Sequence, residues 1–410
     1  MRKRSTLARH ARYGSPGAVV TLLKLTGVAL AVVVVAGLGV GAYTVYDWTS
    51  SYVGSAVDIP DQADVPPDIG EIEGGVDLLL VGTDLCEEEL RADFPGRCDG
   101  PDAGGEHNDV NLLIHLSDDP RRVTTISFPR DLMIGLPPCT DPVTGQTFGA
   151  VRKEMLNVAY SRGGLGCVTR TIESISGQSI EYAAKITWGG VIKITDAIGG
   201  VTVCLASPIR DVDNTGIDWP AGERTVVGKD ALEFLRTRHG LVGGSDLSRI
   251  ANQQQYMSKL VRKMASDEVL SNPATMFGLA STIVHSVTPS QSLTNPVTLV
   301  QIGLALKSVP FDEIVFVQYP VLADPDNGNR VIPNEDAAAA LWAALDANQQ
   351  IQLTGPPGQG VVGASPSPTP VPTSAPDGTP QPQPSETSVA LPSGVTGQTA
   401  EDTTCSNGAG

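Results

Sequence analysis

From Leu25 to Tyr46 the chain carries no charged side chain. A run of roughly 20 apolar residues is long enough to cross the hydrocarbon core of a bilayer as a helix. Arg2, Lys3, Arg4, Arg9 and Arg12 precede it, whereas Asp47, Asp58, Asp61 and Asp64 follow it. That asymmetry predicts a cytoplasmic N-terminus and an extracytoplasmic remainder. A cleaved signal peptide is the competing reading, but its apolar region spans about 7–15 residues and ends at a small-residue site. Here the run is longer and ends among Tyr43, Tyr46 and Trp48, side chains suited to a membrane interface. The expected organisation is therefore a basic segment 1–24, a transmembrane helix 25–46, an extracytoplasmic linker 47–74, a folded domain 75–353 and a tail 354–410. The tail, rich in Pro, Ser, Thr, Gly and Gln, is expected to be disordered because it has too little apolar surface to offset the entropy of ordering.

The net charge of −17 argues against nucleic acid as a partner, since affinity for a phosphate backbone comes from Lys and Arg displacing counterions. An anionic ligand would need a local arginine cluster inside an acidic protein. Cys86, Cys98, Cys139, Cys167, Cys204 and Cys405 would face an oxidising compartment, where disulfides are expected. Cys86 with Cys98 would close a short loop and Cys139 can be paired with Cys167, but sequence alone does not fix connectivity. No Cys-x-x-Cys pair points to zinc.

Within the domain, Val76–Val81, Val110–Leu116, Val123–Phe128, Tyr182–Thr187, Val201–Leu205 and Glu313–Tyr319 read as strands. Arg152–Ser161, Val168–Ile175, Gly189–Ile198, Asp246–Met264 and Asn334–Asn348 read as helices. The alternation predicts an α/β layered domain. Three features carry chemistry. Asp84 and Asp109 stand at the ends of the first two strands, where α/β sheets commonly place ligands, and a carboxylate pair beside phosphate oxygens suits Mg²⁺ or Mn²⁺. Arg130 follows Pro129 at the sheet edge, and its planar fork matches phosphate bidentately. Arg236 and Arg238 fall on one side of a strand-like stretch; a Gly-rich loop follows, read as a lid, and then Arg249 and Gln253 share a helix face.

In order, Gly82-Thr83-Asp84, Asn108-Asp109-Val110, Ser127-Phe128-Pro129-Arg130-Asp131, Leu156-Asn157-Val158-Ala159-Tyr160, Asp196-Ala197-Ile198-Gly199-Gly200-Val201, Leu235-Arg236-Thr237-Arg238-His239 and Arg249-Ile250-Ala251-Asn252-Gln253 resemble the LytR-CpsA-Psr family. The resemblance implies an αβα domain with a central mixed sheet and an apolar tunnel for a polyprenyl chain. It further implies a phosphotransferase that moves a glycan phosphate from a polyprenyl diphosphate carrier onto peptidoglycan, as relatives do with teichoic acids, capsules or arabinogalactan. By the same resemblance Asp84 and Asp109 would serve the metal. Arg130, Arg236, Arg238, Arg249 and Gln253 would bind the diphosphate, the arginines holding the phosphates and Gln253 helping to orient one of them. Relatives often carry arginines shortly after the first aspartate and two residues before the second; here Leu85 or Cys86 and His107 stand there, with Arg91 and Arg97 in an inserted loop.

Two other readings compete with the transferase. A membrane-anchored module could bind wall glycan or lipid without turnover, and a hydrolase could cleave the lipid diphosphate. Release of polyprenyl phosphate separates the binder, and formation of a peptidoglycan conjugate separates the hydrolase.

Overall fold

Alternating side chains in the first strand bury both of its faces: Leu79 and Val81 on one, Leu78 and Leu80 on the other. A computed structural model describes residues 43–44, 46–60, 62, 75–100, 104–363 and 388–409. Of the expected transmembrane segment 25–46, only Tyr43, Thr44 and Tyr46 are among the described residues, and they are helical. The segment 1–24 and most of the linker lie outside them. Among the described residues no helix is long and apolar enough to cross a membrane.

The unit from Ser51 to Gly410 is organised on a seven-stranded mixed sheet. Its strands are β1 (Val76–Thr83), β2 (Asn108–Leu116), β3 (Val123–Phe128), β4 (Tyr182–Thr187), β5 (Val287–Pro289), β6 (Ile314–Gln318) and β7 (Gly397–Thr399), in the order β5-β4-β1-β2-β3-β6-β7. β1 runs antiparallel to β2 and parallel to β4, and β3 runs parallel to β6. One face packs on α1 (Ala159–Ser176) and on the later helix Glu335–Asp346 through Leu165, Val168, Ile172, Leu341 and Trp342. The other face is covered by α2 (Trp188–Ala197), α3 (Gly228–Arg236) and α4 (Asp246–Met264). Helices on both sides of a mixed sheet are the layered architecture expected.

Local chemistry sets the element ends. Ser245 accepts a hydrogen bond from the Ser248 N–H and so caps α4, and Asn334 does the same for Glu335–Asp346. The expected helix Arg152–Ser161 is half wrong. Val151–Met155 is a strand paired with Met133–Leu136, and helical structure begins only after it; cross-strand pairing there outweighs a weak helical period. Arg236 and Arg238 also do not lie on a strand, since Arg236 ends α3 and Arg238 follows in the loop.

The largest departure is the C-terminal segment. Residues 388–409 are packed: β7 adds to the sheet beside β6, and Thr404–Ser406 joins a second sheet with Val201–Leu205. Leu391, Val395 and Ala400 are buried. Gln255 donates to the Thr404 carbonyl at 3.1 Å and to the Cys204 carbonyl at 2.7 Å. A disulfide joins Cys204 to Cys405 across 201 residues, beside Cys86–Cys98 and Cys139–Cys167. The expectation of disorder from residue 354 onward fails here because composition does not register a covalent tie.

The same segment pins the loop expected to act as a lid. Val242 N–H donates to the Asn407 carbonyl, Ala409 N–H donates to the Gly240 carbonyl, and Leu241 is buried. Gly243 and Gly244 have φ of 92° and 56°, so these glycines serve a left-handed turn. Replacing Cys204 and Cys405 together with serine is expected to cost about 3–5 kcal/mol, the usual range for losing a long-loop disulfide. Equilibrium urea denaturation measures this, and an unchanged midpoint would contradict it.

Candidate functional site

The ends of β1, β2 and β3 bring Asp84, Asp109 and Arg130 to one side of the sheet, because the three strands are hydrogen-bonded neighbours. Arg130 follows an interior strand rather than an edge one. Its Nη1 donates to Asp109 Oδ1 at 2.9 Å, and its backbone N–H donates to Asp246 Oδ2 at 3.1 Å. Arg249, one turn into α4, pairs with Asp246 Oδ1 at 2.7 Å and donates to the Asp109 carbonyl at 2.8 Å. Its Nη1 stands 3.9 Å from Asp109 Oδ2. Asp109 is pulled upward by burial, but Arg130 and Arg249 outweigh that and hold its carboxyl below the usual range. Burial also works against the charge on Arg130, yet Asp109 and Asp246 hold its pKa above the ordinary arginine value. Asp246, which sequence marks only as the start of a helix, is thus a central member of the site. The signal for it was its place three residues before Arg249, one helical turn.

Arg236 is different. Among the described residues it has no ion pair and no hydrogen-bond acceptor. Its guanidinium lies 4.0 Å from the Trp188 ring centroid and 5.4 Å from that of Phe94. Burial, reinforced by Arg249 and opposed by Asp109 and Asp84, lowers its pKa to about 10. The backbone that carries it is fixed by α4: Asn252 donates to the Phe234 carbonyl at 2.7 Å and Gln253 to the Leu235 carbonyl at 2.8 Å. These are carbonyls of the last turn of α3, which have no partner within the helix. Gln253, expected among the diphosphate-binding side chains, instead has its amide donor on the backbone segment that positions Arg236. Arg238 is half-exposed, with its Nε donating to His239 Nε2 at 3.1 Å; burial and then Arg130 lower its pKa.

Behind Arg236 and Arg249 opens a cavity of about 230 Å³. Leu80, Leu112 and Phe316 form its sheet side, and Val191, Ile194, Leu232, Met257 and Leu260 its helix side. Gly82 lies at the mouth; a Cβ there would come within 2.9 Å of the Val110 Cβ and narrow the entrance. An apolar cavity with a few convergent polar groups at one end suits an amphiphile.

The two expected metal ligands differ. Asp109 Oδ1 is taken by Arg130, but Oδ2 has no hydrogen bond, so Asp109 fits a divalent ion shared with ligand phosphate oxygens, the arrangement magnesium prefers. Asp84 does not fit as a second ligand. Its Oδ2 accepts from Arg97 Nε at 2.8 Å and its Oδ1 from the His107 N–H at 2.7 Å. Among the described residues no group of three or more His, Cys, Asp or Glu is placed to hold a metal.

The model of the LytR_cpsA_psr family matches residues 44–347, a span that contains every residue of the site. The chain belongs to the LytR-CpsA-Psr family. Among family members, the cell wall biosynthesis protein LcpA of Corynebacterium glutamicum is 28% identical over 280 residues, covering 63% of this chain and 52% of LcpA. The polyisoprenyl-teichoic acid–peptidoglycan teichoic acid transferase TagV of Bacillus subtilis is 26% identical over 229 residues, covering 54% and 55%. The match thus spans about half the length of these relatives. A LytR-Csp2A-Psr enzyme structure from Actinomyces oris superposes with a TM-score of 0.53 at 22% identity, covering 71% of this chain and 95% of that one, which shows a shared fold. The family span ends before the C-terminal segment, so β7 and Cys405 lie beyond it, while Cys204, the disulfide partner of Cys405, lies within it.

Because the Arg236 cation is lost as pH rises through about 10, affinity for a diphosphate is expected to fall from about pH 10 upward. An ordinary arginine would hold its charge to above 12. Calorimetric titration with geranyl diphosphate between pH 8 and 11 measures this; constant affinity across that range would contradict it.

Proposed function

We propose that the chain is a phosphotransferase that moves a glycan 1-phosphate from a polyprenyl diphosphate carrier to peptidoglycan, attaching a secondary polymer to the wall. The observation that carries this reading is Arg236: a largely buried guanidinium with no protein acceptor, at the mouth of an apolar cavity. Removing a cation from water without a partner is costly, so a site built this way is complementary to an anion attached to a greasy chain. Arg97, Arg130, Arg236, Arg238, Arg249 and Arg330 face Asp84, Asp109, Asp131 and Asp246. Arg236 and Arg238 have no carboxylate ion pair among the described residues, so positive charge is left for an anionic ligand such as a diphosphate. The names of the relatives, a cell wall biosynthesis protein and a teichoic acid transferase, support the same class of reaction.

In this reaction an acceptor hydroxyl attacks the phosphorus that bears the glycan. A new P–O bond forms, the bond to the bridging oxygen breaks, and polyprenyl phosphate leaves. The leaving phosphate gains a negative charge and can take up the acceptor proton. Positioned guanidiniums stabilise charge on the phosphoryl oxygens at little reorganisation cost. Asp109, held below the usual carboxylate range, is a weak base; its work is to fix Arg130 and Arg249. Mg²⁺ or Mn²⁺, held by Asp109 together with phosphate oxygens, would supply further charge neutralisation. We also propose that residues 25–46 anchor the chain in the cell membrane with the domain outside, where the lipid carrier and peptidoglycan are both reachable.

Full-length protein, a polyprenyl diphosphate-linked glycan and a peptidoglycan acceptor make the test. A conjugate together with released polyprenyl phosphate is expected; free phosphosugar would show a hydrolase, and no release a binder. Arg236→Ala is expected to lower turnover about a hundredfold or more, the scale of losing one preorganised stabilising group. Stability in urea denaturation should change by no more than about 1 kcal/mol, since the substitution leaves no carboxylate or hydrogen-bond acceptor among the described residues unpaired. Turnover at the wild-type rate would remove Arg236 from the mechanism.

A further inference from the structure

Between β1 and β2 a loop leaves the sheet and is closed on itself by Cys86–Cys98. The loop is seated on the mouth of the cavity, for Phe94, Cys98, Trp188 and Leu232 form a small core of their own. Phe94 meets Trp188 edge to face at 5.1 Å, and the two rings flank the Arg236 guanidinium. Arg97, next to the disulfide, lays its Nε on Asp84 Oδ2 at 2.8 Å and its Nη2 on the Gly105 carbonyl. Both side chains of that ion pair are nearly buried, with 14% and 11% exposure.

Resting on the diphosphate reading above, we propose that Arg97 and Phe94 are positioning residues of the anion grip. Arg97 occupies Asp84, so that Arg236 is left for the ligand, and Phe94 with Trp188 fixes the plane of Arg236. The electrostatics support the first half. Asp84 is close enough to Arg236 to act on its charge, and an unpaired buried carboxylate would both draw Arg236 toward itself and repel an incoming phosphate. The planar fork lets Arg97 put Nε on Asp84 Oδ2 while Nη2 reaches the Gly105 carbonyl, a fixed orientation that a lysine ammonium does not reproduce. The second half follows from ring electrostatics: a guanidinium is attracted to the face of an aromatic ring, and Phe94 and Trp188 provide two such surfaces. Nothing here requires Arg97 to touch the ligand. The disulfide matters because it fixes residues 94 and 97 relative to the end of β1, which carries Asp84.

The test uses the full chain in detergent micelles, with geranyl diphosphate and uncharged geraniol as probes and quenching of tryptophan fluorescence, Trp188 being at the mouth, as the signal. Arg97→Gln is expected to bind geranyl diphosphate about tenfold or more weakly, a difference that such titrations resolve easily, while geraniol binds as to wild type. Arg97→Lys recovers part of the loss, and Phe94→Leu weakens the diphosphate selectively and to a smaller degree. Equal affinity of wild type and Arg97→Gln for geranyl diphosphate overturns the proposal. So does parallel loss of both probes, which would mean a purely structural role. Wild type that binds geraniol but not geranyl diphosphate would instead defeat the diphosphate reading itself.

Discussion

A guanidinium can be kept charged away from water only if carboxylates or aromatic faces replace its hydration, and each carboxylate supplied in this way also cancels charge that an anionic ligand needs. The mouth of this domain resolves the conflict by sharing. Asp109 serves both Arg130 and Arg249, and Asp246 serves the same two. Two acids thus hold two arginines in one orientation, and neither acid is available to Arg236. For Arg236 the protein substitutes ring faces for carboxylates, which retain the cation without neutralising it. The remainder of the fold can be read as support for this arrangement: three neighbouring strands deliver Asp84, Asp109 and Arg130, and the side chains of α4 hold the last turn of α3.

How much of this could be read from the sequence varied with the range of the interaction. The strands Val123–Phe128, Tyr182–Thr187 and Val201–Leu205 and the helix Asp246–Met264 were legible to the residue because burial imposes its period directly on the chain. So was the convergence of Asp109, Arg130, Arg236 and Arg249, through the order of motifs that marks the family. What could not be read was set by contacts between distant residues. Asp246 stands in the sequence only as the first residue of a helix, and its role in the site comes from Arg130, distant in the chain and adjacent in the fold. Asp84 looked like half of a metal site until Arg97, from a loop of no recognisable motif, was found on it. The strand Val151–Met155 took its conformation from Met133–Leu136 rather than from its own residues.

The C-terminal segment is the clearest case. Its composition is that of a linker, yet Cys405 reaches Cys204 and the residues around it complete two sheets. Asn407 and Ala409 then hydrogen-bond the Gly240–Val242 turn that follows Arg238. A segment outside the family span thus buttresses the loop that follows Arg236 and Arg238. A disulfide of this reach limits the unfolded chain more than the folded one, so a polar segment with few large side chains can still be held in a defined place.

The central claim is that unpaired positive charge and an apolar cavity form one binding site. A crystal structure of the protein with geranylgeranyl diphosphate tests it most directly. The account predicts phosphate oxygens within hydrogen-bond distance of Arg236 and Arg249, and the prenyl chain lying against Leu80, Met257 and Leu260. Phosphates bound elsewhere with the Arg236 guanidinium untouched, or a prenyl chain excluded from the cavity, would contradict it.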